Sequence, residues 1–157
     1  MANLILWRHA EAEDHYKTGT DTDRALTKNG HKDAAKMAKW LSRHLPLNTE
    51  VLCSPAKRCL ETVAALQKIN PIKIKVADFL SVDSTAEIII NKVSNQDNSK
   101  TTLIIGHQPN LGLVITKLLG MNGNACSVKK GAIWWLRQRE VEGVIQLYLF
   151  SVQHPDY

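Results

Sequence analysis

The sequence predicts an α/β protein, a three-layer α/β/α sandwich with a mostly parallel sheet and an antiparallel edge. Three observations carry this. Short apolar runs alternate along the chain with segments whose apolar residues recur at i, i+3, i+4 and i+7, the signature of strands interleaved with helices. The first run, Leu4 to Trp7, is apolar at every position, as a strand covered on both faces must be. The last two runs, Ala132 to Leu136 and Val144 to Phe150, flank Glu140-Val141-Glu142-Gly143 and read as a hairpin, which adds antiparallel strands.

Taken in order, Leu4 to Trp7 is the first and central strand, and the polar stretch from Glu11 to Asp23 is a loop. Thr27 offers an N-cap to a helix whose inward positions are Ala34, Met37, Ala38, Leu41 and Leu45, and Pro46 closes it. Thr49 to Cys53 is the second strand. Ser54 then caps a helix with Pro55 in its first turn and Ala56, Cys59, Leu60 and Val63 as its inward stripe. After Pro71, alternation of Ile72, Ile74 and Val76 with Lys73 and Lys75 marks a brief strand. Asp83-Ser84-Thr85 starts a helix through Val93, and the polar run from Ser94 to Lys100 is a surface loop. Thr101 to Ile105 is a further buried strand, and Gly106-His107-Gln108-Pro109 turns it into a helix from about Asn110 to Leu119, again with Pro109 in the first turn.

At 157 residues the chain fits one domain, residues 1–157, and no internal repeat divides it. With 44% apolar and 22% charged residues it can build a core, which excludes a disordered tail, a collagen-like rod and a disulfide miniprotein. No apolar run approaches a bilayer span, and the N-terminal segment meets charge too early for a signal peptide, so a cytoplasmic protein without membrane contact is expected. Cys53, Cys59 and Cys126 make an odd count without metal-ligand spacing, as free thiols in a reducing compartment do. Twenty basic residues against fifteen acidic give +5, yet the longest basic run is Lys129-Lys130. That dispersion argues for a solvated surface and against nucleic-acid binding, and leaves an anionic substrate or an acidic partner protein.

In such sheets ligands bind beyond the carboxyl ends of the strands. The first strand ends in Arg8-His9, the second leads into Ser54-Pro55-Ala56-Lys57-Arg58, and the buried strand after residue 100 ends in Gly106-His107. A histidine at a strand end is commonly structural and an arginine in a first helical turn commonly solvated. Here, however, Arg8, His9, Arg58 and His107 fall at three separate strand ends, two of which open helices whose amino ends attract anions. Together they describe a phosphate site. His9 can attack phosphorus if its other ring nitrogen is held by an acceptor, and Arg8, Arg58 and His107 can hold the equatorial oxygens. This chemistry needs no metal and no cofactor.

These segments resemble a known family. Leu6-Trp7-Arg8-His9-Ala10-Glu11-Ala12 resembles the Arg-His-Gly/Ala signature of the histidine phosphatase, or phosphoglycerate mutase-like, superfamily. Ser54 to Thr62 is similar to its Ser-Pro-x-x-Arg-x-x-x-Thr segment, and Gly106-His107-Gln108-Pro109 to its Gly-His-x-Pro segment. Arg24-Ala25-Leu26-Thr27-Lys28-Asn29-Gly30 resembles the Arg-Pro-Leu-Thr-x-x-Gly stretch of the short SixA-type phosphohistidine phosphatases, with Ala25 in place of proline. The resemblance implies a phosphoglycerate mutase-like fold and metal-independent hydrolysis through a phosphohistidine on His9. It also implies a phosphorylated protein, or a small phosphorylated molecule, as substrate, and competition by phosphate or sulfate. Larger members use a carboxylate general acid. The residues available here are Asp83 and Glu87, which read equally well as a helix N-cap and a solvated first-turn residue. Asp21 and Arg24, before the first helix, border the pocket on this reading.

Other conspicuous residues read as structural. Trp134 and Trp135 put one ring on each sheet face, one in the core and one at a rim or interface. Cys59 falls on an inward stripe, and His15, His31, His44 and His154 are assigned to the surface. The leading expectation is a phosphatase acting on phosphohistidine in proteins. The alternatives are a phosphatase or mutase for small phosphomonoesters and a non-catalytic module that binds phosphorylated partners.

Overall fold

The computed structural model describes residues 2–14, 19–95 and 99–156. Six strands, β1 (Asn3–Arg8), β2 (Glu50–Cys53), β3 (Ile74–Val76), β4 (Thr101–Gly106), β5 (Ile133–Val141) and β6 (Val144–Gln153), form one sheet in the order β3-β2-β4-β1-β5-β6. The first four run parallel, and β5 and β6 are antiparallel. Among the described residues four α-helices, α1 (Lys28–His44), α2 (Lys57–Ile69), α3 (Ala86–Ser94) and α4 (Asn110–Leu118), cover both faces.

The apolar run in β1 explains its central place. Leu4 and Leu6 pack with Ile89 and Val93 of α3 and Leu111, Val114 and Ile115 of α4. Ile5 and Trp7 point the other way, onto Met37 and Leu41 of α1 and Val63 and Leu66 of α2. Successive side chains thus enter two separate cores, as pleating requires. The tryptophan pair divides likewise: Trp135 is buried on the α1/α2 face, its indole N–H donating to Asn3 Oδ1 at 3.2 Å, and Trp134 is half-buried on the α3/α4 face.

Several local expectations need correction. Thr27 does cap α1, its hydroxyl accepting from the Gly30 amide at 2.9 Å, but Leu45 lies just beyond the helix in extended backbone because a residue preceding proline avoids the helical region. Ser54 does not cap α2. Its N-cap is Ala56, Pro55 precedes the helix, and the Ser54 hydroxyl is taken up by His107. Leu60 points outward rather than into the stripe. Of Asp83-Ser84-Thr85, Thr85 caps α3, accepting from the Ile88 amide at 3.2 Å. Pro109 is the residue before α4, not part of its first turn. Ile72 lies outside β3. The hairpin is longer than its apolar runs, because β5 continues through the polar stretch Arg137 to Glu140 and the chain turns at Glu142-Gly143, both at positive φ. His31 and His44 are exposed, His154 is half-buried, and His15 lies outside the described residues.

Candidate active site

The sheet order places the carboxyl ends of β1 and β4 side by side: Arg8 pairs with Gly106, and the His9 amide donates to the Gly106 carbonyl at 3.2 Å. The residues immediately after the two strands, His9 and His107, therefore meet, their rings 5.5 Å apart between centroids. β2 flanks β4 on its other side, so the segment after it delivers Ser54 and, in the first turn of α2, Arg58 to the same rim.

His9 is 7% exposed and its Nδ1 lies 2.8 Å from the Ala10 carbonyl. A carbonyl can only accept, so Nδ1 carries the proton and Nε2 keeps its lone pair. Burial, together with the charges of His107, Arg58 and Arg8, pushes the imidazole pKa down to about 3 against the bond to Ala10. His107 is fixed in the opposite tautomer. A guanidinium can only donate, so the Arg58 Nη2 contact of 3.3 Å makes Nδ1 an acceptor, and Nε2–H faces the Ser54 hydroxyl at 2.8 Å. Burial and Arg58 lower its pKa to about 4, opposed by Asp21.

The arginines are equally fixed. Arg58, 3% exposed, donates from Nη1 to the Asp21 carbonyl at 2.9 Å and from Nη2 to the Asp21 carboxylate at 3.1 Å. Arg8 donates from Nη1 to the Val128 carbonyl at 2.9 Å, and burial plus the neighbouring Arg58 charge hold it below the usual arginine range. The Nε atoms of both arginines are buried without a protein acceptor. Guanidinium N–H groups left in that state are costly unless an anion meets them.

Asp21 sits on a single 3₁₀ turn, Asp21–Asp23, and also accepts from Arg24 at 3.0 Å, while Arg24 Nε donates to the Glu13 carbonyl at 2.6 Å. Arg24 thus reaches the rim only through Asp21. Its companions in the Arg24–Gly30 stretch lock the loop: the Leu26 amide donates to Glu61 at 2.8 Å and the Thr27 hydroxyl to Glu11 Oε1 at 2.8 Å. Gly30 is required because a Cβ there would come within 2.0 Å of the Glu11 carbonyl oxygen.

The two carboxylates considered as acids are not drawn in. Asp83 is exposed, and Glu87 is bound to Lys117 at 3.0 Å, two turns along α4 from its start. Glu87's own backbone amide and Lys117 hold that carboxyl below its usual range, which favours the ionised form. Two contributors were given no role by the sequence, although Thr62 closes the Ser-Pro-x-x-Arg-x-x-x-Thr segment. The Thr62 hydroxyl accepts from the Ala10 amide at 3.0 Å and donates to the Arg58 carbonyl at 2.7 Å, tying the His9 strand end to α2. Its position one turn after Arg58 was the available signal. The Ala10 carbonyl had none, since every residue carries one. Among the described residues no group of three His, Cys, Asp or Glu side chains could hold a metal. Cys59, with Sγ 3.6 Å from His107 Nε2, is fully buried, and burial pushes its thiol up to about 12, so it is no nucleophile.

A doubly covered, mostly parallel sheet whose strand ends bring together two arginines and a neutral imidazole defines a phosphoryl-transfer enzyme. The chain belongs to the histidine phosphatase superfamily, a phosphatase by fold and kinship: residues 4–81 match the family's branch 1. It is 31% identical over 122 residues to an uncharacterized protein of Mycobacterium tuberculosis, covering 77% of this chain and 75% of that one. It is 28% identical over 129 residues to a protein of Haemophilus influenzae described as a phosphohistidine phosphatase SixA homolog, covering 75% and 77%. Its fold matches that of the protein histidine phosphatase SixA complexed with tungstate at a TM-score of 0.81 and 21% identity, covering 98% of this chain and 97% of that one.

Proposed function

We propose that the protein removes phosphoryl groups from phosphohistidine in other proteins, with His9 as nucleophile. The observation that carries this is the His9 tautomer: Nδ1–H is committed to the Ala10 carbonyl, and Nε2 is a free lone pair among cations. In the first step Nε2 attacks phosphorus. The phosphorus–nitrogen bond of the substrate breaks, and its electron pair leaves with the substrate imidazole, which departs neutral when its other nitrogen has taken a proton from solvent. Water then attacks phospho-His9, the electron pair returns to Nε2, and orthophosphate takes up the proton balance with solvent.

Arg8 and Arg58 meet the equatorial oxygens, and their unpartnered Nε–H groups point to the same demand. His107 is neutral beside Arg58, but a dianionic phosphoryl group raises the pKa of an adjacent imidazole, so His107 donates from Nδ1 once substrate arrives. Imidazole leaves more readily than an alkoxide, which suits a rim where Glu87 is held ionised and away from the strand ends. The SixA structure that shares this fold is a complex with tungstate, a tetrahedral oxyanion like phosphate, which supports an oxyanion as the ligand of such a site. Among the described residues no helix is long and apolar enough to cross a membrane, and three free cysteines suit the cytoplasm.

The test is chemical. A phosphoramidate is acid-labile and base-stable, so enzyme quenched during turnover should hold acid-labile phosphate, and His9→Ala should hold none. Normal labelling of the alanine variant removes His9 from this role.

A further inference from the structure

The loop between α4 and β5 is welded to the candidate site. The Gly131 amide donates to the His9 carbonyl at 3.0 Å, Trp7 Nε1 to the Gly131 carbonyl at 3.1 Å, and Arg8 Nη1 to Val128 at 2.9 Å. Gly131, at φ +76, makes the turn that these bonds require. The two residues between these anchors, Lys129 and Lys130, are therefore held beside His9, and both are exposed.

They line a groove of about 600 Å³ together with Arg8 and with Asn29 and Asp33 of α1. On the adjoining ridge of that helix stand exposed Lys28, Lys32 and Lys36, spaced i, i+4 and i+8. They extend the positive charge by about 12 Å along the helix, eight residues at the standard rise. Lys36 donates to the carbonyl of Pro155, one of the residues that line the groove. Inside the groove are three carboxylates, Glu11, Asp33 and Asp156, close enough that burial and the other two hold Asp33 above the usual range.

This pattern discriminates between anions. A small polyphosphate lying in the groove would meet three carboxylates. A broad acidic surface resting on the two rows of lysines avoids them. We infer that Lys129 and Lys130, extended by Lys28 and Lys32, form the docking surface for acidic residues surrounding the phosphohistidine of a protein substrate. The inference rests on the phosphohistidine reading and adds how the partner is chosen. Exposed charges of this kind act on encounter and on KM, and leave the chemical step alone.

The test uses two short phosphohistidine peptides, one flanked by Asp and Glu and one by Asn and Gln, with an aryl phosphate as control. At low ionic strength the wild type should prefer the acidic peptide by about tenfold or more in kcat/KM, through KM, and salt should shrink the preference. Lys129→Glu/Lys130→Glu should abolish that preference while aryl phosphate turnover stays within about twofold, and Lys28→Glu/Lys32→Glu should reduce it in part. Equal rates on the two peptides, or a preference that survives the double reversal at the loop, overturn the docking surface. So does an equal loss on aryl phosphate, which would put the lysines in the phosphoryl site. A small bisphosphate whose inhibition exceeds that of phosphate only while both lysines are present would assign them to a small-molecule ligand instead. Turnover of the aryl phosphate with neither peptide hydrolysed would bring down the phosphohistidine reading itself.

Discussion

The residues at the strand ends and the carboxylates outside them are held in opposite ways. His9, Arg58 and His107 are at most 7% exposed, and each hangs from a sheet strand or from the first turn of α2. Asp21 and Glu87 have side chains 51% and 69% exposed and stand on a single 3₁₀ turn and a short outer helix. The contrast shows where precision comes from. Parallel pairing fixes β1 against β4 residue by residue, so the residue after each strand is placed by the ladder itself. An exposed carboxylate is placed only by the groups it binds, and at that exposure an ion pair adds little.

The contrast is tested most severely at the guanidiniums. Arg58→Ala or Arg8→Ala should lower kcat/KM on phosphohistidine by about 10²- to 10³-fold, the scale of losing one preorganised donor. Steady-state rates on a phosphohistidine peptide check this, and an effect below about threefold would move that arginine out of the site.

Thr62 probes it next, because it acts only by positioning. Thr62→Val leaves the Ala10 amide buried without an acceptor and should cost about 1 to 3 kcal/mol in urea unfolding. It should also lower kcat with little change in KM, and Thr62→Ser should restore both. Equal effects of valine and serine would mean that packing alone matters there.

The two histidines make a pH prediction whose sign is set by their values of about 3 and about 4. Between those values and the ordinary 6.5, the unfolded chain binds more protons than the folded one, so stability is lost as pH falls from about 6.5 toward 4. Each group contributes up to about 1.4 kcal/mol per pH unit in that window. Thermal unfolding across it should show His9→Gln and His107→Gln each flattening the slope. For the same reason kcat/KM should show no His9 titration between pH 5 and 8.

The smallest effects belong to the exposed carboxylates. Asp21→Asn keeps the main-chain bond to Arg58 and should change kcat/KM by less than about fivefold. Glu87→Gln and Asp83→Asn should leave phosphohistidine turnover within about twofold, since neither supplies a needed proton. A large loss confined to alkyl phosphates in either variant would reveal a working general acid.

The layered architecture, the central place of β1 and the identity of the four residues that meet at the strand ends are legible in the sequence alone. Those features rest on hydrophobic period and on residue type, both of which are local and written in order along the chain. The tautomers of His9 and His107 are settled only by folding, because they depend on whether the facing atom donates or accepts, and the Ala10 carbonyl and Arg58 reach the imidazoles only in the folded chain. The same holds for Ser54, which sequence places as a helix cap and the fold gives to His107 across 53 residues, and for Glu87, turned to Lys117 of α4. Capping and periodicity are interactions within a few residues. A hydrogen bond across the sheet has no counterpart in the local pattern, and it exists only once β4 lies between β1 and β2.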